Sequence, residues 1–138
     1  MSIGLPVACM IAAFAVGLVT ETLARLLNLW RYRSPGYVVI NILVMFVLIQ
    51  GYGVGWLIGG RQAMRGIFPV LFMVGAVIGI VFEGVNEHWL NAWSWSDRPI
   101  LGVTRSIDKA AVVGVAWGLA PLATVMLARL MIGASLKA

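Results

Sequence analysis

The stretch GIVFEGVNEHWLNAWSW, Gly79–Trp95, decides how this chain folds. It opens as an apolar helix, then carries two glutamates and a histidine, and closes on three tryptophans. An earlier stretch, GLVTETLARLLNLWRY (Gly17–Tyr32), has the same build. GLVTE (Gly17–Glu21) matches GIVFE (Gly79–Glu83), and LNLWRY (Leu27–Tyr32) matches LNAWSW (Leu90–Trp95). Further on, GVGW (Gly53–Trp56) matches GVAW (Gly114–Trp117). The offsets are 62, 63 and 61 residues. Three matches in order at one period indicate duplication of a two-helix unit.

Working outward, the 138 residues are 62% hydrophobic and 11% charged, more apolar surface than a soluble chain of this length can bury. Four runs lack charge: Ser2–Thr20, Gly36–Gly60, Gly66–Phe82 and Ala110–Ala128. Each approaches or exceeds the roughly 17–25 apolar residues of a spanning helix. The expected fold is all-α: a polytopic membrane protein with four transmembrane helices, arranged as two hairpins. It forms one membrane domain over 1–138, with repeats at about 3–60 and about 66–134. Each unit crosses and returns, so the halves are parallel repeats about a pseudo-two-fold axis along the membrane normal. The alternation of membrane β-strands is absent.

No basic segment precedes the first apolar run, so the first helix is expected to stay in place. Cys9 is alone, which excludes an internal disulfide and a cysteine metal cluster. The net charge of +5 lies in short loops and at helix ends, with no basic soluble domain to hold nucleic acid. Arg25, Arg31, Arg33, Arg98, Arg105 and Lys109 fall on one face; Arg61, Arg65, Arg129 and Lys137 fall on the other. The positive-inside rule then puts loops one and three in the cytoplasm. The expected location is a bacterial inner membrane.

Positions i, i+3 and i+4 share a helix face, so Glu83, Asn86 and Glu87 line one side of the third helix. Continued backwards, that side reads Gly79, Ala76, Gly75 and Phe72, small residues that mark close helix contact. The first helix repeats the plan with Gly17, Glu21, Ala24, Arg25 and Asn28. Both acids should approach the bundle interior near one membrane surface. An ionisable group at a helix centre costs roughly 2.5–3.5 kcal/mol on insertion scales, less toward the ends. Structural pairing would offset that cost: Glu21 with Arg25 one turn on, and Glu83 and Glu87 with Arg98 or Arg105. Against it, Glu87 has no counterpart in the first unit, and adjacent charged acids repel. The aromatics Trp30, Tyr32, Trp89, Trp93 and Trp95 are expected to form an interfacial belt at the same end.

Of the available chemistries, metal binding is disfavoured. His88 lies roughly 140° from Glu83 around the helix, and neither Glu83 nor Glu87 has a histidine at ligand spacing. No serine or cysteine has a plausible partner base, and no cofactor is expected. A small proton-coupled transporter could use Glu21, although such sites lie near the bilayer midplane.

Glu83, Trp93, Trp95, Ser96, Asp97, Pro99, Leu101, Gly102 and Val103, followed by Trp117 and Pro121, resemble a pattern in membrane-bound carotenoid hydratases and the related small carotenoid cyclases. The resemblance implies protonation of a polyene double bond by a carboxylic acid. Glu83 would be the donor, with Trp93 and Trp95 beside the cation.

The candidate catalytic residues are therefore Glu21, Glu83, Glu87 and Asp97. The candidate lipid- or substrate-binding residues are Trp30, Tyr32, Asn86, Trp89, Asn91, Trp93, Trp95 and Trp117. The leading functional expectation is a non-catalytic subunit or scaffold that contacts lipids, isoprenoid or pigment, as a homo-oligomer or within a larger membrane complex. The alternative is an isoprenoid-modifying enzyme.

Overall fold

A computed structural model of the chain describes residues 4–58, 67–95 and 106–135. The chain is mostly helical. Helix α1 spans Leu5–Leu26, α2 Pro35–Ile58, α3 Ile67–Leu90 and α4 Ser106–Ser135. All four are long and apolar enough to cross a membrane. Pro6 and Pro35 lie in the first turns of α1 and α2, where a missing N–H costs nothing. Helix α4 runs on through Pro121. The middle of α2, Asn41–Tyr52, and the end of α3, Asn86–Leu90, are wound as π-helix.

A short sheet completes the fold. Strand β1 (Trp30–Tyr32) follows α1, and β2 (Trp93–Trp95) follows α3. They pair antiparallel, with Trp30 opposite Trp95, Arg31 opposite Ser94 and Tyr32 opposite Trp93. The all-α expectation thus gains a two-stranded ladder, and four of the aromatics expected in a loose belt are joined in it. The local cause is the same on both sides. Asn28 and Asn91 adopt φ of 50° and 44°, the left-handed conformation that ends a helix and that asparagine tolerates. Beyond each, alternation places the aromatics on one half-buried face and Arg31 or Ser94 outside. The ladder also brings the carboxy-terminal ends of α1 and α3 to the same end of the molecule.

Helix α1 packs on α2 and α4, and α3 packs on α4. The α1–α4 seam is tight at the end away from the sheet, where Ala8, Cys9 and Ala12 meet Ala128. Val54, Ile58, Leu71 and Val125 fill the same end. In the middle, Met45 and Phe46 pack with Ala120 and Trp117. Gly17 lies against the Phe46 ring and Gly79 against the Trp117 ring. Those two rings stack at 5.5 Å. The third sequence match does not share one environment: Trp56 is 70% exposed, whereas Trp117 is partly buried against the core of the bundle.

Candidate functional site

The site grows from the two inward-facing glutamates. Glu21, in the last turns of α1, is 3% exposed. Its Oε1 accepts hydrogen bonds from Tyr32 Oη at 2.6 Å and from Asn41 Nδ2 at 2.7 Å. Asn41 Nδ2 also lies 3.0 Å from Tyr32 Oη, closing a three-residue network. Glu21 Oε2 is buried and has no hydrogen-bond partner. Arg25 is exposed, so the expected ion pair one turn along the helix is not what holds this acid. Burial, and then the hydrogen bond to Glu21, push the Tyr32 phenol above its ordinary pKa, so Tyr32 stays a donor.

Glu83 occupies the corresponding place on α3 and is half-buried. Its Oε2 accepts from Trp93 Nε1 at 3.1 Å, and its Oε1 accepts from Trp95 Nε1. Asn86, 2% exposed, positions those indoles. Its Oδ1 accepts from the Ala92 and Trp93 backbone N–H groups at 2.9 and 3.2 Å, and its Nδ2 donates to the Trp93 carbonyl at 2.9 Å. Asn86 therefore acts through the β2 backbone.

Both carboxylates line one cavity of about 50 Å3. Its remaining walls are largely aromatic: Trp30, Tyr32, Phe46, Trp93, Trp95 and Trp117. Trp30 meets Trp95 edge-on at 5.5 Å, and Tyr32 meets Trp93 at 5.9 Å. No lysine, arginine or histidine is among its described lining residues. A second cavity, about 300 Å3 and almost entirely apolar, adjoins it between α1 and α4. The two share Thr20, Trp30, Phe46, Trp95, Val113 and Trp117. Leu23, Leu27 and Ala116 line the larger one and are exposed, so it opens on the apolar flank of the bundle.

Other sequence candidates lie elsewhere. Glu87, His88, Trp89 and Asn91 are exposed and outside the cavity. The π-helical turn begins at Asn86, which is buried, and Glu87 next to it is exposed. Asp97, Arg98 and Arg105 fall outside the described residues. Asn41, Phe46 and Thr20 were not singled out in the sequence. Asn41 had a signal: it is an amide inside an otherwise apolar run, and buried polar groups seek partners. Among the described residues, no three metal-ligating side chains come together. No family model, curated protein or solved structure matches the chain.

Proposed function

We propose that this chain is an integral membrane protein, built by duplication of a helical hairpin, that binds an apolar lipid or isoprenoid chain as a non-catalytic subunit of a bacterial-type inner-membrane complex. One observation carries the reading. An apolar cleft of about 300 Å3 opens between α1 and α4 and adjoins a cavity lined by two carboxylates. That is the shape of a site for a long apolar molecule with a polar end. The paired asparagine turns and the antiparallel register around Arg31 and Ser94 support the duplication. Outward-facing Val7, Ile11, Phe14 and Leu18 on α1, and Val70, Met73, Val77 and Val81 on α3, support burial in lipid or against partner helices.

The test is native mass spectrometry from mild detergent. The expected result is a retained lipid or isoprenoid mass that is lost when Ala116→Trp fills the cleft, with helicity and melting temperature unchanged. A protein that carries no such mass, or a variant that retains it equally, overturns the reading. The same spectra report partner chains.

Acid catalysis on a polyene is the second reading, supported by the aromatic walls beside Glu83, since aromatic faces stabilise cations. Against it, each Glu83 oxygen accepts an indole N–H, so protonating Glu83 weakens one of those bonds. Incubation of purified protein with polyenes, wild type against Glu83→Gln, separates the two: turnover lost only in the variant would favour the enzyme.

A further inference from the structure

The smaller cavity combines three features that point to one ligand chemistry. Two carboxylates face it, and the described residues supply them with neutral donors only: a phenol, an amide and two indoles. One oxygen, Glu21 Oε2, is buried on a side chain 3% exposed and has no partner. The rest of the wall is six aromatic side chains with Thr20, Asn41 and Val113. We infer that this cavity is a cation site that takes an alkylammonium group, a primary amine or a methylated ammonium, whose hydrocarbon chain lies in the α1–α4 cleft.

A buried carboxylate oxygen without a partner is costly, and an ammonium N–H supplies it a charge-assisted hydrogen bond where a neutral hydroxyl supplies only an ordinary one. Calcium or magnesium takes about six hard oxygens at short range, whereas indole and phenyl rings make up most of this wall. Aromatic faces attract a diffuse, weakly hydrated cation, and acids set among rings are how quaternary ammonium groups are held. A cavity of about 50 Å3 takes a head group of a few heavy atoms, given that one water needs roughly 10–15 Å3 of such space. A chain attached to that head would pass the shared walls at Trp30, Trp95, Phe46 and Trp117 into the apolar cleft. The ligand class is thus a cationic amphiphile. The position of its chain rests on the cleft reading above, whereas the position of its head does not.

Three probes separate head from chain, in neutral maltoside detergent with tryptophan fluorescence and calorimetry as readouts: dodecyltrimethylammonium, dodecanol and tetramethylammonium. Dodecyltrimethylammonium should bind at least about tenfold more tightly than dodecanol, and Glu21→Gln should remove that advantage while leaving dodecanol unaffected. Gln keeps the Oε1 acceptor for Tyr32 and Asn41, so the variant should fold; a melting curve checks this, and Glu83→Gln provides the independent second variant. Tetramethylammonium that binds in a Glu21-dependent way, with no gain from the dodecyl chain, upholds the cation site and overturns the cleft reading. Equal binding of dodecanol and dodecyltrimethylammonium, unchanged by either variant, overturns the cation site and leaves the cleft reading standing. Binding that emerges only after Arg98→Gln or Arg105→Gln also overturns it, because the chain's own guanidinium would then be the occupant.

Discussion

At the scale of single residues, a polar network with a small number of members holds the site. Asn41 donates to both Glu21 and Tyr32, so its loss leaves two buried acceptors short. Asn41→Leu should cost about 1–3 kcal/mol, measured by denaturant titration in detergent. Tyr32→Phe should cost a similar amount, and the double variant should cost less than the sum, because the two side chains serve one carboxylate. Tyr32 also sets a pH dependence. Its folded pKa is raised, so its contribution to stability is present in full below the ordinary phenol value and is lost as pH climbs from there through the raised value. Tyrosinate absorbance should therefore lag in the folded protein, and unfolding at alkaline pH should release it. Replacing Glu21 by Gln should weaken both effects.

At the scale of elements, the turns after α1 and α3 and the glycine seams decide how the helices meet. Asn91→Gly should be close to neutral, whereas Asn91→Val should cost about 1–2 kcal/mol, because a β-branched residue resists the left-handed conformation. The glycines of α3 divide in the same way. A Cβ at Gly79 would collide with the Trp117 ring, whereas a Cβ at Gly84 meets nothing within 4 Å. Gly79→Ala should destabilise by about 1–3 kcal/mol and disturb the cavity wall. Gly84→Ala should be neutral or stabilising by about 0.5–1 kcal/mol, since it only removes backbone freedom from a helix. Melting curves of the two variants, together with dodecyltrimethylammonium binding, check the contrast.

At the scale of the whole molecule, the two ends differ. The sheet end carries both carboxylates, the ladder and the exposed Arg25, Arg31 and Arg33, which together line an open groove. The opposite end is closed by small and aliphatic residues. If the chain spans a membrane, the positive-inside rule predicts that the arginine end faces the cytoplasm. Ser94→Cys, an exposed position in β2, should then be labelled by a membrane-impermeant thiol reagent only when the cytoplasmic face is open; labelling of intact cells reverses the assignment. The carboxylate cavity lies at this end, and the adjoining apolar cleft opens beside Leu23 and Leu27.

Composition and local pattern alone determined the four long apolar helices, the two matched aromatic tails, and the inward face of Glu21 and Glu83. Those features follow from charge-free length and from helical period, which act within one segment. Contacts between segments decided the rest. The ladder needed two tails far apart in sequence to meet, and alternation over three residues is too short to announce a strand. Asn86 turned inward because β2 supplies its partners: two backbone N–H groups and the Trp93 carbonyl. Asn41 and Phe46 joined the site because α2 folds back on α1. The cleft exists because α1 and α4 touch closely through alanines at one end and are separated by larger side chains at the other. A gap between two helices is a property of their spacing, and no single segment carries it.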